Sequence, residues 1–140
     1  ALAKIPQLVE LDLSENSLLS DPGMQHLSGL KEMQKLNLWR VALTDEGIKP
    51  LQGLTKMKWL NLDNTQVTDA GLKYLKDMHQ LEFLHLGSTP VSDAGLPALE
   101  GLPSLKELTV TRTAVSEAGV QELKKKLPNT KIQLKYIPGE

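Results

Sequence analysis

Glycine recurs at one fixed interval along this chain: Gly23, Gly47, Gly71, Gly95 and Gly119 stand 24 residues apart. The residues around them recur too. Thr44-Asp45-Glu46-Gly47-Ile48, Thr68-Asp69-Ala70-Gly71-Leu72, Ser92-Asp93-Ala94-Gly95-Leu96 and Ser116-Glu117-Ala118-Gly119-Val120 are one motif, and Ser20-Asp21-Pro22-Gly23-Met24 is a more divergent copy. Ahead of each copy apolar residues alternate with polar ones, in the pairs Leu11/Leu13, Leu36/Leu38, Leu60/Leu62, Leu84/Leu86 and Leu108/Val110. A period in the range of roughly 20–50 residues marks architectures built by stacking one supersecondary unit.

The alternation reads as a short strand with one buried face. The Thr/Ser-Asp step reads as a helix start, where the hydroxyl caps free backbone N–H groups and the carboxylate meets the positive end of the helix dipole. Apolar residues follow at helical spacing, as in Leu72, Leu75 and Met78 or Leu96, Leu99 and Leu102. The glycines are expected to allow close backbone packing between turn and helix. One unit cannot bury its apolar face alone, so neighbours must stack. The expected fold is an α/β right-handed solenoid, a horseshoe arc with parallel strands on the concave face and helices on the convex face. All 140 residues read as one domain. Residues 1–7 are the tail of a preceding repeat helix, with Leu2 and Ile5 where Leu27 and Leu30 fall one repeat later. Residues 8–127 make five repeats, and 128–140 a C-terminal capping strand and tail. Ile132 and Leu134 take core positions in that strand, and Lys131 and Lys135 guard its edge. The C-terminus of the parent protein is expected close by. An N-terminal repeat edge without a cap is unsatisfied. The chain is therefore expected to be a fragment of a longer array, or to be covered at that edge by another chain, self-association included.

Residues Leu8-Val9-Glu10-Leu11-Asp12-Leu13-Ser14-Glu15-Asn16-Ser17-Leu18 match the pattern L-x-x-L-x-L-x-x-N-x-L at every fixed position. The chain thus resembles the leucine-rich-repeat family over essentially its whole length. The Thr/Ser-Asp-Ala-Gly-Leu half is similar to bacterial and to cysteine-containing, F-box-like subclasses, which often carry Cys or Asn at the ninth position. Here that position holds Asn16, Val41, Thr65, Thr89 and Thr113. Val41 has no side-chain group to bond the backbone, so a polar ladder should be interrupted there. The resemblance implies a protein-binding role for the concave face.

Strand alternation also sorts residues between faces. The outward sites are Glu10, Asp12 and Ser14; Lys35, Asn37 and Trp39; Trp59, Asn61 and Asp63; Phe83, His85 and Gly87; Glu107, Thr109 and Thr111; and Lys131, Gln133 and Lys135. Both tryptophans and the single phenylalanine fall on these sites. Trp59 and Phe83 are equivalent on neighbouring strands, about 4.8 Å apart, and Trp39 lies one strand away at the other end of its row. Aromatic anchors ringed by polar groups are the usual composition of binding hot spots. Trp39, Trp59 and Phe83 are the expected anchors for a protein or peptide, with Asn37, Asn61, Asp63 and His85 as the polar ring. Two alternatives stay open: recognition of a carbohydrate or small ligand on the same face, and a structural spacer whose aromatics merely cover neighbouring strands. Glu10 and Asp12 make one end of the face acidic, while Arg112, Lys131 and Lys135 make the other basic, which would orient a dipolar partner.

Composition removes several classes. A net charge of −1 argues against a nucleic-acid binder, and Lys124-Lys125-Lys126 reads as the solvated end of the last helix. No run approaches the roughly 18–20 apolar residues of a membrane span; no signal-peptide pattern is present, but the sequence opens mid-pattern, so a targeting segment upstream of it stays open. The absence of cysteine excludes disulfides and thiol catalysis and leaves the compartment open. His85 and Asp63 lie diagonally within bonding reach, yet position 87 is glycine and Ser88 is at the strand exit, so no nucleophile completes a triad. One histidine and one carboxylate fall short of a zinc site, and His26 and His79 fall on the surface. The recurring Thr/Ser-Asp motif reads as structure, because a ligand site need appear only once. The expectation is a non-catalytic binding scaffold with no cofactor and no metal.

Overall fold

The computed structural model describes Ile5 and residues 7–135. Six three-residue strands, β1 (Glu10–Asp12), β2 (Lys35–Asn37), β3 (Trp59–Asn61), β4 (Phe83–His85), β5 (Glu107–Thr109) and β6 (Lys131–Gln133), form one sheet in chain order. Every pair is parallel, and the register aligns Leu11, Leu36, Leu60, Leu84, Leu108 and Ile132 in a single row. Leu36, Leu60 and Leu84 are 0% exposed and belong to one continuous core that runs from Met24 to Leu127. The result is an α/β solenoid with the core between the sheet and a helical layer. Ile132 and Leu134 in the last strand are half-buried against this core. At the other end Ile5 is 41% exposed, unlike buried Leu30. Leu2 and most of the expected N-terminal helix tail lie outside the described residues, as does the tail from 136 to 140.

The helical layer is thinner than expected. α1 (Asp21–Met24) and α2 (Asp45–Ile48) are single turns that tighten into 3-10 turns at Gln25–Leu27 and Lys49–Leu51. The next two repeats carry only 3-10 helix, Asp69–Leu75 and Asp93–Leu99. The apolar residues there step by three, which is the 3-10 period, whereas an α-helical stripe mixes steps of three and four. Pro50 and Pro97 also lack the N–H that would continue an α-helix. Among the described residues only α3 (Glu117–Lys126) is a long α-helix, and its buried Val120 and Leu123, with Leu127 just past its end, step by three and then four. Its lysines are less free than expected: Lys124 Nζ donates to the Thr130 carbonyl at 2.6 Å and Lys125 Nζ to Glu122 at 2.9 Å.

The first repeat holds one residue more than the others between strand and helix. Leu18, the last fixed position of the sequence pattern, is 95% exposed. Leu19 packs toward Gly23 and the core instead, in the place that Leu43, Val67, Val91 and Val115 take later.

Hydroxyls cap as expected at four helix starts, where Thr44, Thr68, Ser92 and Ser116 accept from the N–H groups of Glu46, Ala70, Ala94 and Gly119; Ser20, in the divergent copy, makes no side-chain cap. The carboxylates do more than face the dipole, because each reaches into the next repeat. Asp21 accepts the Thr44 N–H at 2.8 Å and its hydroxyl at 2.5 Å. Asp45 holds Thr68 at 2.7 and 2.5 Å, Asp69 holds Ser92 at 2.7 and 2.5 Å, and Asp93 holds Ser116 at 2.8 and 2.5 Å. This rung explains the glycine. A Cβ on Gly47, Gly71, Gly95 or Gly119 would overlap the Oδ1 of Asp21, Asp45, Asp69 or Asp93 respectively. The tightest approach is the previous repeat's carboxylate, and turn residues also press on the helix there, Leu43 Cδ2 coming within 2.9 Å of a Cβ on Gly47 and Leu19 Cδ1 within 2.8 Å of one on Gly23. On the inner side, the hydroxyls of Thr65, Thr89 and Thr113 donate to the carbonyls of Leu62, Leu86 and Val110. Buried Val41 interrupts that series, and exposed Asn16 instead accepts from the Leu18 N–H.

The rung and the glycine should therefore be energetically coupled. Gly71→Ala is expected to destabilise by about 1–3 kcal/mol, because the new methyl dislodges a doubly bonded carboxylate. In an Asp45→Ala background the same change should cost at least ~1 kcal/mol less. A double-mutant cycle by urea denaturation measures this, and simple additivity would contradict the steric account.

Candidate partner-binding face

The strand register lays the outward side chains in rows across the sheet. One row runs Glu10, Lys35, Trp59, Phe83, Glu107 and Lys131, and the next Asp12, Asn37, Asn61, His85, Thr109 and Gln133. Trp59 and Phe83 stack with ring centroids 4.9 Å apart and planes at 6°. That separation equals the spacing of strands in a sheet, about 4.8 Å, so the rings stand upright with their faces turned along the row. Lys35 Nζ lies 4.9 Å from the Trp59 centroid. Lys35 comes from β2 and Phe83 from β4, so both faces of the indole are occupied. His85 meets Phe83 edge-on, with centroids 6.3 Å apart at 61°. Trp39 makes no ring contact with this pair among the described residues; its ring faces the Arg40 guanidinium at 5.5 Å. The three expected anchors are therefore a central pair and a separate tryptophan, all half-buried.

The polar residues of the second row have an internal task that the sequence reading missed. Asp12 Oδ1 accepts the Ser14 N–H at 2.9 Å, Asn37 Oδ1 that of Trp39 at 3.1 Å, Asn61 Oδ1 that of Asp63 at 2.9 Å, and His85 Nδ1 that of Gly87 at 3.1 Å. Each closes a local side-chain-to-backbone bond where its strand ends. The signal was a short polar residue recurring at the last strand position. Asn37 also donates to Asp12 Oδ2 at 3.4 Å.

His85 and Asp63 do not form the bond their positions allowed: Nδ1 is 3.9 Å from Asp63 Oδ1 and is already used by Gly87. Burial of the imidazole pushes its pKa below the ordinary histidine value, outweighing the opposite pull of Asp63. A Cβ on Gly87 would come within 2.6 Å of His85 Cε1 and 2.8 Å of Asp63 Oδ1, so a nucleophilic side chain cannot stand there. His26 and His79 are exposed. No group of three or more potential metal ligands occurs among the described residues, and no helix among them is long and apolar enough to cross a membrane.

Two hollows flank the aromatic pair. One of about 570 Å³ is lined by Glu10, Asp12, Lys35, Asn37 and Trp59. The other, of about 450 Å³, is lined by Asp63, Phe83, His85, Glu107, Arg112 and Gln133 among others. Hydrogen bonds from Ser14 are the main cause that holds the Asp12 carboxyl below its usual range, keeping that end of the face acidic.

A single parallel sheet backed by short helical turns, with outward side chains in rows across the strands, is the scaffold of a repeat solenoid. The architecture is that of a leucine-rich repeat: residues 6–28 match the family model described as Leucine Rich repeat, and two solved structures share the fold of this chain. An internalin C2 from Listeria monocytogenes str. 4b F2365 matches with a TM-score of 0.79 and 27% identity, over 96% of this chain and 54% of that one. An internalin (inlF) from the same strain matches with a TM-score of 0.74 and 19% identity, over 97% of this chain and 45% of that one. The chain thus spans about half the length of these solved structures. No curated protein matches it in sequence.

The depressed His85 pKa makes a signed prediction. The unfolded chain takes up this proton more readily than the native one, so the stabilisation is present above the unfolded value of about 6.5 and is lost as pH falls through the lower native value. Urea midpoints should drop with pH through that window in the wild type. His85→Asn keeps an acceptor for Gly87 and should flatten that part of the profile; equal profiles for both would contradict the assignment.

Proposed function

We propose that this chain is a non-catalytic protein- or peptide-binding module whose contact surface is the outward face of the sheet, centred on Trp59 and Phe83. The observation that carries the reading is the stacked pair itself: two large aromatic rings stay half-exposed on the outward rows while every core position is filled by Leu, Met, Ile or Val. Upright rings present a continuous apolar ridge, bordered by Asn61, Asp63 and His85, with Asn37 and Trp39 toward β2. Such a ridge suits a partner segment laid across several strands. The carbohydrate reading is weaker because stacking of a sugar needs an open aromatic face, and both faces of Trp59 are covered by Lys35 and Phe83. The spacer reading would have the aromatics serve only as cross-strand pairs. The internalin relatives support a binding scaffold in general terms, and their own partners are not carried over to this chain.

Trp59→Ala and Phe83→Ala should each weaken partner binding by about 2 kcal/mol or more, as buried aromatic anchors do, with circular dichroism unchanged. Affinity capture from cell extract and culture medium compares wild type, the double variant and Gln52→Ala on the helical side. A partner held by wild type and Gln52→Ala but lost by the double variant supports the reading. Equal capture by all three, or none, moves the weight to the spacer.

A further inference from the structure

The polarity of the face is set by bonds the chain makes to itself. Asn61 spends its Oδ1 on the Asp63 N–H, so what it has left to offer is the Nδ2 amide, which bonds no described residue. His85 accepts a backbone N–H on Nδ1, so the ring is neutral with its proton on Nε2, again with no partner among the described residues. Asn61 and His85 are register partners on adjacent strands, directly beside the Trp59–Phe83 pair. Asn37 repeats the arrangement one strand back, its Nδ2 only loosely held by Asp12 at 3.4 Å. The centre of the face therefore presents free N–H donors, while each matching acceptor atom already carries a strand-end bond.

We propose, building on the binding role above, that this donor row takes the carboxylate of an acidic residue in an extended segment of a protein partner, while an apolar neighbour of that residue covers Trp59 and Phe83. Amides and hydroxyls both donate and accept, and half of their capacity would go unmet here; a carboxylate only accepts. Charge agrees. The Lys35 ammonium stands over Trp59, next to this row. Of the nearby carboxylates, Asp12 holds Ser14 and Asn37 and Asp63 lies on the Nδ1 side of His85, away from Nε2, while Glu107 stands on the far side of Phe83.

The test separates the internal bond from the outward donor. Asn61→Asp and His85→Asp keep an acceptor for the strand-end N–H but remove the donor, whereas His85→Asn keeps both. A displayed library of random peptides is selected on wild type and counter-selected on the Trp59→Ala/Phe83→Ala variant. The selected peptides should be enriched in Asp and Glu. They should lose affinity at least about tenfold on Asn61→Asp and on His85→Asp, the size set by a hydrogen bond to a charged group. They should bind His85→Asn nearly as wild type, and the loss should persist at about 1 M salt, where long-range repulsion is screened. Peptides that need the aromatic pair but are enriched in Lys or Arg, or in Asn or Gln, or are indifferent to the Asp variants, overturn the carboxylate site and leave the binding role standing. A selection yielding no peptides that depend on Trp59 and Phe83 overturns both.

Discussion

A carboxylate gripping the backbone and hydroxyl of the following repeat is the contact on which this solenoid's outer edge depends. Four such rungs, from Asp21, Asp45, Asp69 and Asp93, each span 23 residues. On the inner edge, parallel backbone bonds such as Leu38 N–H to the Asn61 carbonyl set the strand spacing. The leucine core lies between two hydrogen-bonded edges of equal period, and much follows from that. Glycine must stand where the carboxylate arrives, and the helical turn must begin beside it. An extra residue is tolerated only where neither edge is involved, which is where the first repeat places Leu18, out in solvent. The final repeat carries Glu117 in place of the aspartate.

The helical layer shows how little room the two edges leave. An α-helix is about 10 Å across, while strands repeat every ~4.8 Å, and this mismatch is what bends such stacks. A 3-10 turn is narrower and reaches farther per residue. Seven residues at Asp69–Leu75 or Asp93–Leu99 can thus bridge the layer with leucines stepping by three, all on one side. In the last repeat no further described helix packs against the outer side of α3, and the chain forms a full ten-residue α-helix there.

The repeat, the strand rows and the buried pairs were legible in the sequence because a period held over five copies leaves one way to bury the leucines. The aromatic pair was legible for the same reason: alternation alone put Trp59 and Phe83 side by side on the outward face. What stayed hidden were contacts whose partners lie a whole repeat apart. Leu72, Leu75 and Met78 were read only as helical spacing, and their unbroken steps of three, the mark of a 3-10 helix, were not separated from an α-helical stripe. Gly71 looked like a local packing residue, since the Asp45 that requires it is 26 residues earlier, though each of the four glycines has an aspartate at that distance. Leu18 satisfied the consensus in letter and spacing, yet one residue inserted before the helix start hands its place in the core to Leu19.

The outward row makes the same point about function. Asn37, Asn61 and His85 read as part of a polar ring around an aromatic patch and Asp12 as part of an acidic end, yet each first closes its own strand end through one acceptor atom. A residue bound on one side has only its other side to offer a partner. Closing the strand ends thus also sorts the polar atoms: amide and imidazole N–H groups remain beside the ridge, with the acceptors engaged at the strand ends. Histidine is the member of this row that titrates near neutrality. In the imidazolium form Nδ1 carries a proton and can no longer accept the Gly87 N–H, while Nε2–H persists. Protonation would therefore cost the end of β4 its bond before it cost the face its donor. Burial, which keeps His85 neutral, preserves the strand end and the outward donor together.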